Sequence, residues 1–212
     1  MNQELTAMEK VIQAFALLKE ASSSLETNPI DNYGFRDMGA LHSIREHFEP
    51  TIEQVPGRSG PDAKSAHRSK MEGKSRGVKP RKTIQHLREE DCTKFQFDKQ
   101  NDPIRREQTL QYDGFYFHVH RTMEVRPAVL IYVDGNAGVL KIRRLLDSKQ
   151  SEFLQKWSLA KQQGRRVRDT IELSLTEIFD VCLDYDLKIL ANNQVVSKAR
   201  LREMFANKEI TL

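Results

Sequence analysis

From about Glu49 to Gln111 the chain is poor in apolar residues, and no other feature restricts its fold as strongly. Ile52, Val55, Met71, Val78, Ile84, Leu87, Phe95, Phe97, Ile104 and Leu110 stand far apart among Gly, Ser, Pro and charged residues. A segment of this kind buries too little apolar surface to offset the entropy of ordering it. The pattern therefore predicts three parts: an N-terminal helical segment over 1–48, a basic and largely disordered linker over 49–109, and a compact domain over 110–212. The fold class expected is α+β, with a small, mainly antiparallel sheet packed against two to three helices. An amphipathic helix and the linker would precede it.

The N-terminal helix has clear signals. Thr6 and Glu9 have capping-box spacing, and Met8, Val11, Ile12, Phe15 and Leu18 follow on one face. About four turns of helix are marginal alone in water, so this stripe needs a partner. That partner is the chain's own domain, a second copy, or another protein. A second helix is expected from Asp37 as N-cap to Phe48, stopped by Pro50, and Thr83–Glu90 has the pattern of a brief helix.

Beyond residue 110 the pattern changes. Phe115, Phe117 and Val119 alternate with Tyr116, His118 and His120, as in a strand, and Ala128–Val133 reads as a buried strand. Asp134-Gly-Asn-Ala-Gly138 reads as a hairpin turn, with Val139–Ile142 returning as the third strand of a meander. A helix over Ser148–Gln162, a strand over Thr170–Leu173 and a helix capped by Ser174 and Glu177 come next. They are followed by a strand over Leu187–Leu190, a turn at Asn192-Asn193 and a last helix capped by Ser197.

Charge is unevenly spread. The net charge is +4, and Gly57–Lys82 carries Arg58, Lys64, Arg68, Lys70, Lys74, Arg76, Lys79, Arg81 and Lys82 against Asp62 and Glu72. Without interleaved aromatics this stretch suits phosphate contact rather than base stacking. Lys79-Pro80-Arg81-Lys82 also matches a nuclear-import pattern. A second basic surface is expected on a rigid element, from Arg143, Arg144, Lys156, Lys161, Arg165, Arg166 and Arg168, with Lys141 and Lys149 beside them. Its partner would be RNA or an acidic protein.

Candidate chemistry is sparse. His118 and His120 have metal-ligand spacing on one strand face, with Glu124 beyond; the competing reading is two imidazoles on a half-exposed sheet face. All six histidines lie at or before position 120. No phosphate-binding glycine pattern or nucleophile elbow is present, and Cys92 and Cys182 have neither disulfide-framework nor zinc spacing. No apolar run approaches the roughly 18 residues of a membrane span. The expectation is a non-enzyme without a cofactor, cytoplasmic, with the nucleus open to it and no membrane partner.

The helix at Met8–Leu18, the run Ile171-Glu-Leu-Ser-Leu-Thr-Glu-Ile-Phe179, then Leu187–Leu190, a polar turn and Ser197-Lys-Ala-Arg-Leu-Arg202 resemble the phosphoproteins of nonsegmented negative-strand RNA viruses, the rhabdovirus kind in particular. The resemblance implies an N-terminal helix that engages nucleoprotein and a small C-terminal domain that binds the nucleoprotein–RNA template. Function would then be that of a viral or accessory adaptor, able to self-associate. It would bind a partner protein through Met8, Val11, Ile12, Phe15 and Leu18, and nucleic acid or nucleoprotein through the basic surfaces, Lys79, Arg81 and Lys82 included. The alternatives are a stand-alone nucleic-acid-binding regulator, such as a silencing suppressor, and a metal-dependent enzyme built on His118 and His120.

Overall fold

Strand β5, Gly114–Arg121, is buried on both faces almost throughout and organises the chain. It is seen in a computed structural model that describes residues 6–22, 33–55, 61–79, 85–121 and 124–211. On one side β5 pairs antiparallel with β6, Val129–Val133. On the other it pairs in parallel, residue for residue, with β3, Met71–Val78. Three short strands complete the N-terminal and C-terminal sides: β1 (Glu53–Gln54), β2 (Ala63–Lys64) and β9 (Gln194–Val196), with β8 (Leu187–Ala191) next to β6. The order is β1-β2-β3-β5-β6-β8-β9. A separate antiparallel pair joins β4, Phe95–Phe97, to β7, Ile171–Leu173.

Alternation along β5 divides the core in two. Phe115, Phe117 and Val119 face a large cluster that includes Phe95, Phe97, Ile131, Ile142, Leu146, Leu173, Ile178, Leu201 and Ile210. This cluster is covered by α4 (Gly135–Gln162), α5 (Leu175–Val181) and α6 (Lys198–Ala206). Tyr116 faces a smaller cluster formed with Leu130, Tyr132 and Leu190 against Ala40, Leu41 and Ile44. Those last three belong to α2, Tyr33–His47, and α1, Ala7–Ser22, lies against α2. The remaining helix, α3 (Pro103–Gln111), is capped by Asp102, whose carboxylate accepts from Ile104 N.

The fold is α+β, but it corrects the expected version of it. The sheet is mixed rather than mainly antiparallel, and six α-helices stand among the described residues instead of two to three. Segment 49–109, expected to be a disordered linker, supplies β1 to β4 and α3. The physical reason lies in β3: only Met71 and Val78, at its two ends, reach the apolar clusters, and a continuous main-chain ladder to β5 holds the rest. Ladder hydrogen bonds need no apolar side chains. Asp113 anchors the approach to β3, accepting from Ser69 N, Ser69 Oγ and Lys70 N, each at 2.8 Å.

The expected hairpin at 134–138 is also corrected. Asp134 is the N-cap of α4, which starts at Gly135 and continues through Val139–Ile142. Val139, Ile142 and Leu146 are buried at helical spacing, so the same apolar residues serve a helix. The third strand beside β5 and β6 is β8, reached only after α4, β7 and α5. Asp37, expected to cap α2, lies inside it.

Candidate functional site

Strands β2 and β3 stay together for a single pair, Ala63 with Met71, and then part. From Glu72 onward the edge of β3 away from β5 is therefore open, and a cavity of about 450 Å³ lies along it. Its walls bring Arg36, Lys74, Arg76, Lys79 and Lys94 together with Asp37, Asp62 and Asp98.

Asp62 and Lys74 line this cavity at the fork, and Glu72 is buried behind its wall. Asp62 is held by its own backbone, Asp62 N donating to Met71 O at 2.8 Å, and its Oδ2 accepts from Gly73 N at 2.8 Å. Burial, then the neighbouring Glu72 charge, pushes its carboxyl up to about 7 against the opposing effects of Lys74 and the Gly73 bond. Glu72 is only 2% exposed. Its Oε1 takes the Lys74 ammonium and lies 3.5 Å from Arg105, while its Oε2 has no hydrogen-bond partner. Lys74 also rests 4.9 Å from the Phe97 ring centroid.

Gly73, between Glu72 and Lys74, is required by contact. A Cβ there would fall 2.3 Å from the Tyr116 ring. That ring is wholly buried and its hydroxyl has no partner. Burial, and then Asp62, Asp37 and Glu72, hold the Tyr116 hydroxyl protonated far above its ordinary range. At Gly77 a Cβ would meet the Arg36 guanidinium at 2.6 Å.

His118 and His120 are fully buried, which corrects the half-exposed sheet face expected for them. Tyr116 stacks on His118. His118 Nε2 lies 3.1 Å from Asp37 Oδ1, outside hydrogen-bonding geometry, and its Nδ1 lies 2.6 Å from His120 Nε2. His120 Nδ1 reaches Glu124 O at 3.3 Å. Burial, helped by His118 and Arg36, lowers the His120 pKa well below the ordinary imidazole value.

The expected basic residues are dispersed. Arg143 is committed to structure, donating to Tyr112 O and Gln111 O at the end of α3. Lys141 pairs with Asp186, Lys149 with Glu177 and Lys156 with Glu152. Arg144 is exposed along α4, and Arg165 is exposed just beyond it. Lys161, Arg166 and Arg168 gather beside Trp157. Lys79 lines the open cavity, and Arg81 and Lys82 lie outside the described residues. In α1, Val11 and Ile12 are half-buried, and the side chains of Met8, Phe15 and Leu18 lie outside what is described.

Asp62, Glu72 and Lys74 were not singled out by sequence reasoning. Their one signal is that Asp62 and Glu72 are the acids set against the cations of Gly57–Lys82. No protein-family model and no curated protein matches the chain.

Proposed function

We propose that the protein is a divalent-cation-dependent hydrolase that cuts phosphodiester bonds of nucleic acid at Asp62, Glu72 and Lys74. The observation that carries this reading is the bare Oε2 of Glu72. A carboxylate oxygen buried without a partner is costly, and it lies near a second carboxylate that burial and the Glu72 charge keep protonated to about pH 7. A cation at the fork would satisfy both. Among the described residues no three His, Cys, Asp or Glu side chains converge as a closed metal cage. Mg²⁺ needs none, since one or two carboxylates with water and substrate phosphate suffice.

A bound Mg²⁺ or Mn²⁺ supplies Lewis acidity toward a phosphoryl oxygen and lowers the pKa of the attacking water. The protein's own residues do the rest. Lys74 offers a positive charge beside the carboxylates, where charge on the phosphate develops. Arg36, Arg76, Lys79 and Lys94 line the approach and suit a run of phosphates. Arg76 Nε is buried without an acceptor, a donor well suited to an anion. Tyr116 keeps its proton and closes the floor beneath Gly73.

An adaptor role shares the nucleic-acid partner but needs an open apolar stripe on α1. There Val11 and Ile12 are half-buried and the helix lies against α2. The deciding test is incubation of the full chain with plasmid DNA and with RNA, in Mg²⁺, Mn²⁺ or chelator. Cleavage is expected with metal only. Glu72→Gln and Lys74→Ala should each reduce it by at least a hundredfold, in line with the usual loss of one transition-state contact. Glu72→Gln should also remove any rise in melting temperature caused by the metal. A purified wild-type protein that cuts neither DNA nor RNA with either metal, and melts alike with and without them, would refute this reading.

A further inference from the structure

Beyond the open edge of β3 lies a second cleft, of about 700 Å³, with different chemistry. Trp157 stands in its wall with Lys161, Arg166 and Arg168, opposed by Asp169 and bordered by Asn101. Trp157 and Lys161 are one turn apart on α4, and the Lys161 ammonium lies 5.5 Å from the indole centroid. No carboxylate among the described residues sits at ion-pair distance from Lys161, Arg166 or Arg168. An aromatic face ringed by unneutralised cations combines the two elements that hold an unpaired nucleotide: a stacking surface for the base and charge for its phosphates.

The cleft is also tied to the cavity at Asp62. Asp98 lines the first and Asn101 the second. Their Cα atoms are at most about 11 Å apart along the chain. The rims of the two cavities therefore adjoin at this segment. The connecting segment is held firmly. Gln100 N donates to Asp169 O at 2.7 Å, and Gln100 Oε1 accepts from Gln150 Nε2 at 2.6 Å. Gln150 is buried on α4, the helix that carries Trp157.

We infer that the Trp157 cleft binds an unpaired nucleotide of the same strand whose phosphate is cut at Glu72, so that the substrate is single-stranded or frayed nucleic acid. This rests on the hydrolase reading for the cutting step, but the binding itself does not. The arrangement gives a strand two anchor points: phosphates along the open edge of β3, and a base on the indole.

Trp157 is the only tryptophan, so its fluorescence reports on this cleft alone. The full chain, in chelator, is titrated with short single-stranded DNA, single-stranded RNA, a blunt DNA duplex of the same length, and heparin. Saturable quenching is expected with a single strand, with whichever of DNA and RNA binds tighter marking the natural class, and much weaker quenching with blunt duplex. Heparin, a polyanion without bases, should leave the emission nearly unchanged. Trp157→Ala should weaken binding of a dye-labelled single strand roughly tenfold, the usual effect of losing one stacked base, and Trp157→Phe should recover most of it. Arg166→Gln with Arg168→Gln should flatten the salt dependence, and Glu72→Gln should leave the quenching intact while abolishing cleavage.

Equal quenching by heparin, or undiminished affinity in a folded Trp157→Ala chain, would overturn the inference and leave the cleft a charge patch suited to an acidic protein. Quenching that persists in a chain without metal-dependent cleavage would uphold the cleft while the hydrolase reading fails. Should Trp157→Ala unfold, the heparin comparison on the wild type still decides.

Discussion

At position 73 a methyl group would collide with the Tyr116 ring, so the residue between Glu72 and Lys74 has to be glycine. Gly73→Ala should cost about 1–3 kcal/mol, as overpacking of a close-packed site does, and should displace both functional neighbours; urea unfolding measures the loss. Asp62 yields a second prediction. Burial holds its proton to about pH 7 in the folded chain, whereas the ordinary value is 3.8. Between those values the folded state binds more protons than the unfolded one. Without metal, stability should therefore fall as pH rises from about 4 to about 7. Asp62→Asn should flatten that part of the profile in urea titrations at a series of pH values. Neither acid can be recognised from composition: in a list of residues they merely dilute a basic stretch. Their importance arises because the parting of β2 from β3 brings them together.

Among the elements, β3 was the least legible. Its residues, Met-Glu-Gly-Lys-Ser-Arg-Gly-Val, lack the apolar alternation by which β5 and β6 could be recognised, and its stability comes from the parallel ladder. Hydrogen exchange should accordingly show the amides of 74 and 76, which face β5, protected comparably to those of β5, and those of 75 and 77, on the open edge, exchanging faster; a disordered linker would exchange at all four at once. Asp113→Ala removes three hydrogen bonds at the start of the ladder. It should lower stability by about 2 kcal/mol, within the range for hydrogen bonds to a charged group, and speed exchange in β3 first. The first half of α4 failed to be read for a different reason, whereas its second half was expected as the helix over Ser148–Gln162. Asp-Gly-Asn-Ala-Gly suits a tight turn, and Val139 and Ile142 suit a strand as well as a helix until Leu146 is counted with them. The capped helices α5 and α6 were legible because Ser174 and Ser197 make the side-chain bonds their spacing implies.

At the scale of the molecule, 110–212 does not hold its core alone. Phe95 and Phe97 on β4 pack into the same cluster as Phe115 and Phe117, and Leu87 N donates to Ile210 O near the C-terminus. A fragment of 110–212 would lose these and expose the edge of β5 that β3 covers. It should show poor amide dispersion by NMR and a tendency to aggregate, in contrast to the full chain. The charge distribution, by contrast, was partly legible. A nucleic-acid partner was expected from the basic residues, but Arg143 and Lys156 proved to be occupied, whereas Lys161, Arg166 and Arg168 came together at Trp157.

The parallel pairing of β3 with β5 also sets an order of events during synthesis. Residues 71–78, which carry Glu72 and Lys74, leave the ribosome well before 114–121, and until then they have no ladder to join. β2 offers them a single pair, so nothing else can hold them as a strand. The two carboxylates therefore take their places only after 114–121 has emerged. Whatever this centre does, the nascent chain cannot do it before that strand is out.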